Sequence, residues 1–240
     1  MNLDILNLDG IDFGIYRDGP VGISASCGAD SAIMLYLLMK EVTHDLHIYN
    51  LIGADRQPIL EPSIDKVIAR CVELTGKTNY FIHKIHASAP PPELIFNIYK
   101  EVLDSGEVDI VYTGLTKFPQ DSVWEPWGQP GPEWHVKWRQ YDNVHPLFGL
   151  EIAIPAGTDC ADPPLTIDGI YKDKLTQDSR VYNPMINHDK RGIAALYRAL
   201  NIENELFPFT RSCEDDSHVI GHCGNCWWCK ERLWGFGYLE

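Results

Sequence analysis

The chain has 240 residues, of which 45% are hydrophobic and 22% charged, and its formal net charge is −14. Such a length and composition support a real apolar core, arranged as one large domain or as one domain with a small appendage. The acidic balance, with no lysine- or arginine-rich run, excludes a broad phosphate-binding footprint, and the lack of an 18-residue apolar stretch excludes an expected membrane span.

Residues 1–6 carry Asp4 and no basic residue, so they do not read as a secretory signal. With seven cysteines, four of them in a clustered metal spacing near one end, a reducing cytoplasm is the expected setting. Residues 11–17 read as a short strand, Asp18-Gly19-Pro20 as a turn, and 21–25 as a buried strand. Residues 31–42 present the broad apolar face of a helix, and 46–52 read as a second strand. An amphipathic helix is expected over 62–75, stopped by Gly76, followed by a strand at 79–85. A helix with proline at its start is expected over 92–103, and a strand over 109–113. Strand and helix thus alternate over 20–114, which predicts an α/β fold: a parallel sheet with helices on both faces.

The alternation stops at Gly114. Residues 118–138 hold four prolines and the tryptophans Trp124, Trp127, Trp134 and Trp138, too aromatic for a disordered linker. This insert, near 116–140, would cover a substrate, contact a second copy, or pack on its own domain. Residues 189–200 read as another helix, and Leu206-Phe207-Pro208-Phe209 leads into a cysteine-rich tail. The expected division is a nucleotide-binding α/β domain over 1–205 and a small C-terminal subdomain over 206–240.

That tail holds Cys213, Cys223, Cys226 and Cys229. Two overlapping Cys-x-x-Cys steps with a fourth cysteine upstream can converge on one tetrahedral ion, and Gly224 lets the turn tighten. Structural zinc is the expected metal. An iron–sulfur cluster uses the same four thiolates, though the ferredoxin run adds a cysteine before proline that is missing here. Disulfides are the other reading. His218 and His222 flank the cysteines and either could replace a thiolate; His83, His86 and His188 are scattered and suggest no site.

The loop Ser26-Cys27-Gly28-Ala29-Asp30-Ser31 joins the first central strand to its helix. Strand, small-residue loop and helix make a phosphate cradle, because N–H groups and the helix dipole point at the anion. Asp30 would repel a phosphate unless a cation such as Mg²⁺ lay between them. The plainer alternative is a tight turn with Asp30 or Ser31 as a helix cap. Neither the Walker loop nor the dinucleotide fingerprint is present. Cys27, at a helix start, is either an activated thiol or a small buried space-filler.

This loop is similar to the Ser-Gly-Gly-x-Asp-Ser loop of the PP-loop ATP pyrophosphatases. Ser212-Cys213 with His222-Cys223-Gly224-x-Cys226-x-x-Cys229-x-x-Arg232 resembles the zinc end of 7-cyano-7-deazaguanine synthases, and residues 182–193, with Lys190, resemble the family's Pro-Leu-x-x-x-x-Lys-x-x-Ile segment. The resemblance implies an adenine nucleotide alpha hydrolase-like fold and an AMP-forming ligase. Such an enzyme adenylates the carboxylate of 7-carboxy-7-deazaguanine, adds ammonia, and dehydrates the amide to the nitrile with a second ATP. Carried over, Ser24, Ser26, Cys27, Gly28, Ala29, Asp30 and Ser31 would hold ATP phosphates and Mg²⁺, Ile52 and Gly53 would meet adenine, and Thr113 and Gly114 would line the same edge. Asp30, Ser31 and Lys190 would be catalytic. Small-molecule partners, a homodimer, and no nucleic acid or membrane are expected. Two departures stand out: Cys27 replaces a family glycine, and Thr116-Lys117-Phe118-Pro119-Gln120-Asp121 replaces the acidic substrate loop. A PP-loop sulfur transferase, and a loop that binds nucleotide without turnover, are the two other function classes.

Overall fold

The computed structural model describes residues 3–87, 92–128, 147–148, 180–215, 217–218 and 220–240. Strands β1 (Leu3–Leu8) and β2 (Ile11–Tyr16) form an antiparallel hairpin about Asp9-Gly10. That dipeptide is a strong hairpin signal, so β1 is a strand that the reading from residue 11 onward passed over.

The main sheet is built around β3 (Val21–Ser24), which pairs in parallel with β4 (Leu46–Gly53) on one side and β6 (Ile110–Thr113) on the other. Beyond β4 lies β5 (Tyr80–Ala87); beyond β6 lies β8 (Val181–Tyr182), with the short β7 (Leu147–Phe148) antiparallel at the edge. Five strands are therefore parallel, in the order β5-β4-β3-β6-β8. Flanking them are α1 (Ala29–Glu41), α2 (Gln57–Thr75), α3 (Pro92–Ser105) and α5 (Lys190–Ala199), with the short α4 (Asp121–Trp124) and α6 (Glu203–Leu206) and the final α7 (Trp227–Phe236). The alternation read from the sequence is the α/β sandwich observed.

Helix α1 is buried at nearly every position from Ala29 to Met39, since it sits between the sheet and other helices and has no solvent face. Helix α2 starts at Gln57, earlier than the expected Pro62. Pro58 occupies its first turn, where a missing N–H is no loss, and Pro62 lies inside and forgoes a bond to the Pro58 carbonyl. The hairpin is laced to the sheet by two phenols. Tyr112 donates to the Gly14 carbonyl at 2.9 Å, and Tyr182 accepts from the Gly14 N–H at 3.0 Å.

The tail does not stand apart from this core. Phe207 stacks on Phe236 with ring centroids 3.8 Å apart, and Tyr197 meets both edge-on. Arg232 is fully buried, its guanidinium 3.6 Å from the centroid of Phe207. It donates to the carbonyls of Phe207 and Leu239 and to the Thr210 and Ser212 hydroxyls, and burial pulls its pKa down to about 10. The described front of the aromatic insert also packs on the tail: Trp124 and Trp127 meet Trp227 edge-on at 5.2 and 5.0 Å. Of the three roles weighed for the insert, packing on its own domain holds for residues up to 128; Trp134 and Trp138 lie outside the described residues.

The strand order has a consequence for ligands. From β3 the chain runs one way to β4 and β5, then returns to the other side of β3 for β6 and β8. The loops after β3 and β6 therefore leave in opposite directions, which opens a crevice at the carboxyl edge where such folds bind ligands.

Helices α5 and α7 cross so closely that a Cβ on Gly235 would lie 2.5 Å from Lys190 Cγ and 2.8 Å from the Lys190 carbonyl oxygen. Gly235→Ala would gain up to about 1 kcal/mol of helix propensity but meet a backbone oxygen that cannot swing away. We expect a net loss of about 1–2 kcal/mol, measured as a lower urea midpoint with an unchanged slope.

Candidate functional site

The strand, small-residue loop and helix expected from the sequence form at β3 and α1. Gly28 caps α1, and the first helical bond runs from Ala32 N–H to the Gly28 carbonyl at 3.0 Å, which leaves the N–H groups of Ala29, Asp30 and Ser31 ahead of the ladder. Ser31 is buried beneath the loop and shapes it: its hydroxyl accepts from Ser26 N–H at 3.1 Å, donates to the Ser26 carbonyl at 2.9 Å, and lies 2.9 Å from the Ser26 hydroxyl. Gly114, after β6, packs directly on this turn; a Cβ there would stand 3.2 Å from Ser31 N.

Cys27 is not at positive φ, so the side chain in place of a glycine brings no backbone strain. It has a positive role instead. Its carbonyl accepts from Arg211 N–H at 2.7 Å, and its thiol lies 3.5 Å from the Arg211 carbonyl as a donor. Burial pushes that thiol up to about 11, so of the two readings of Cys27 the buried space-filler holds.

Lys190 and Asp30 are far apart in sequence yet meet at 2.5 Å, and Lys190 also lies 3.5 Å from Glu231 of α7. The Lys190 and Glu231 side chains are only 6% and 2% exposed. These residues border a cleft of about 270 Å³. Its walls are the 26–30 loop, Arg56 and Leu60 at the start of α2, Lys190, Arg211–Glu214 of the tail, and Trp228 and Glu231 of α7. Among the polar atoms of its lining residues that are buried without a hydrogen bond to the described residues are Asp30 Oδ1, an acceptor, and Arg211 Nε, a donor.

The tail wall also carries the four cysteines, of which Cys213 lines the cleft, and their sulfurs are all within 4.8 Å of one another. Four sulfurs each about 2.3 Å from one ion stand about 3.8 Å apart, and Cys223 Sγ lies 3.9 Å from Cys229 Sγ. Gly224, at φ 71°, folds the turn so that the N–H groups of Asn225 and Cys226 donate to Cys223 Sγ at 3.4 and 3.2 Å. Cys223 N–H donates in turn to Cys213 Sγ at 3.4 Å. Cys226 caps α7, so the positive end of that helix faces the cluster. A hydrogen bond from Cys229 draws the Cys226 thiol down to about 4 and drives Cys229 up, as expected where thiols crowd and share protons. The group suits a structural zinc with no open position. His218 and His222 are not among its ligand atoms. His222 is held neutral by burial, which lowers it to about 4, and its Nε2 accepts from Ser212 N–H at 3.3 Å, next to Cys213.

No protein-family model and no curated protein matches this chain. The likeness to the deazaguanine synthases rests on the loop, the Lys190 segment and the cysteines themselves.

Of the residues singled out by sequence, Ser26, Cys27, Gly28, Ala29, Asp30, Lys190 and Cys213 line the cleft, and Ser31 supports it from below. Ser24, Ile52, Gly53, Thr113 and Gly114 lie at the carboxyl ends of β3, β4 and β6 but do not line it. Arg56, Arg211, Trp228 and Glu231 were missed. Arg211 directly precedes the Ser212-Cys213 motif, a usable signal; Arg56 and Glu231 carry none, because only the folding of α2 and α7 against the loop brings them there.

Replacing Lys190 by methionine keeps most of the packing volume and leaves two carboxylates without their cation. We expect a loss of about 3–5 kcal/mol in chemical denaturation, partly restored when Glu231→Leu is added. Cys226→Ser should bind one equivalent of zinc fewer than wild type and melt at a lower temperature; a zinc content equal to wild type at an unchanged melting temperature would refute the metal centre.

Proposed function

We propose that this protein is an ATP-dependent, AMP-forming ligase that activates the carboxylate of a small deazapurine, in the manner of 7-cyano-7-deazaguanine synthase. The observation that carries the proposal is the cleft beside the loop after β3, where the N-terminus of α1 and three cationic residues, Lys190, Arg56 and Arg211, share one lining with the 26–30 loop. A polyphosphate needs such donors, in a chain whose net charge is otherwise −14. Mg²⁺ fits the same place, because the orphaned Asp30 Oδ1 is a hard oxygen ligand that would otherwise repel phosphate. That ion would neutralise charge on the polyphosphate. The volume of about 270 Å³ is below that of pockets enclosing a whole drug-sized ligand and suits the phosphate portion of a nucleotide.

The chemistry asks for positioning rather than a protein nucleophile. A carboxylate oxygen attacks the α-phosphorus, the bond to the β-phosphate bridging oxygen breaks, and pyrophosphate leaves with that electron pair. Ammonia then attacks the acyl carbon, AMP departs, and a proton is lost to give the amide. In a second round the amide oxygen attacks the α-phosphorus of another ATP and pyrophosphate leaves; loss of both N–H protons and departure of AMP with the C–O electron pair then give the nitrile. Lys190 and Arg211 would stabilise charge on the departing pyrophosphate, and α1 would orient it. The four-cysteine tail, which supplies one wall of the cleft, would hold Arg211 and Trp228 in place. The buried, hydrogen-bonded Cys27 thiol argues against a sulfur carrier.

A second reading is nucleotide binding without turnover, favoured by the mutual pairing of Asp30 and Lys190, which already neutralises both. Purified protein with ATP, Mg²⁺, ammonia and 7-carboxy-7-deazaguanine should release AMP and pyrophosphate and form the nitrile. Turnover with a different carboxylate would keep the ligase class and change the substrate; ATP binding with no AMP under either condition would favour the second reading. Cys27→Gly separates the two further, since a gain of ATP cleavage in that variant marks a decayed loop and unchanged activity does not.

A further inference from the structure

The histidines that looked scattered in the sequence are not all scattered in space. His47 of β4 and His83 of β5 face each other with His47 Nδ1 3.1 Å from His83 Nε2. Glu107, in the turn between α3 and β6, brings its Oε1 to 3.4 Å from the first nitrogen and 3.8 Å from the second. His47 is the second residue of β4, so this cluster lies toward the amino end of the sheet, away from the loop after β3. Nothing in the proposed ligase chemistry uses it.

We propose that His47, His83 and Glu107 bind a second divalent metal ion, a borderline transition ion such as Zn²⁺, Co²⁺ or Ni²⁺. Three atoms each about 2.0–2.1 Å from a tetrahedral ion stand about 3.3–3.4 Å apart. The observed triangle has edges of 3.1, 3.4 and 3.8 Å, so the donors are already gathered at that scale. In the metal-free form one imidazole N–H donates to the other ring nitrogen; a bound ion takes the place of that shared proton after small ring rotations. Two imidazoles and one carboxylate select zinc-like ions over Mg²⁺ or Ca²⁺, which prefer all-oxygen sets.

The surroundings hold the donors in place. Tyr49 donates to the other carboxylate oxygen, Glu107 Oε2, at 2.8 Å, the kind of outer hydrogen bond that orients a ligating carboxylate. The Tyr49 ring stacks on His83 at 4.6 Å and 19°, and Phe81 flanks His47 at 5.0 Å. The three side chains are 12%, 31% and 37% exposed, so an ion has a path in from solvent, and three protein ligands leave a fourth position for water. The ion would tie β4 and β5 to the α3–β6 turn.

The test is metal counting on the full chain dialysed against micromolar Zn²⁺. Wild type should hold two equivalents, and His83→Gln and Glu107→Gln should each hold one, with the cysteine-bound equivalent as internal control for folding. Titration with Co²⁺ should show a second phase lacking thiolate-to-cobalt charge transfer, its affinity about a hundredfold weaker in Glu107→Gln and about tenfold weaker in Tyr49→Phe. Glu107→Gln keeps an acceptor for Tyr49, so its fold should persist. Saturation of wild type at one equivalent, or a second equivalent that survives both ligand substitutions, would overturn the site.

Discussion

A single buried ammonium organises the carboxyl edge of this protein. Lys190 starts α5, Asp30 lies in the first turn of α1, and Glu231 lies in α7; the three meet where almost no solvent reaches. Taking such charges out of water is costly, and only their mutual proximity offsets it. The pairing fixes the angle at which α7 crosses α5, and that crossing in turn leaves room for no side chain at Gly235. The site proposed to bind polyphosphate thus uses charges that also hold three helices together.

The tail depends on this arrangement and reinforces it. Arg232 is buried against Phe207 and ties together carbonyls and hydroxyls of residues 207–212 and Leu239. The cysteines are gathered a few residues away by N–H donors and the start of α7. An ion at that point would close the loop between Cys213 and Cys223 and restrain Arg211, whose backbone grips Cys27 on the opposite wall. Metal binding, tail folding and the shape of the cleft would then be linked free energies. Trp124 and Trp127 extend the same packing by covering Trp227, so the front of the insert braces the cysteine helix.

The two ends of the parallel sheet have different characters. At the carboxyl end, the loop after β3, the start of α2 and the tail border a cleft with both cationic and anionic walls. Toward the amino end, the edge strand β5, its neighbour β4 and the α3–β6 turn bring two imidazoles and a carboxylate together beside a buried phenol. A parallel sheet allows this because its strands all begin on one side and end on the other, which separates two sets of side chains by the length of a strand.

The sequence alone determined whatever depends on near neighbours in the chain. Alternating periodicity over 20–114 encoded the α/β class, the small-residue run at 26–31 encoded the turn into α1, and the Cys-x-x-Cys spacing encoded a four-thiolate group. Local signals failed where tertiary contacts outweighed them: α2 runs through Pro62 because its apolar face packs on α1 and the sheet. Only the tertiary structure decided which distant residues share a site. Lys190 meets Asp30 and Glu231, Arg211 meets Cys27, and His47 meets His83 and Glu107, each across long sequence separations. Those meetings follow from strand order and helix crossing, which no spacing along the chain records, because burial and Coulomb attraction act on distance in space and not on distance in sequence.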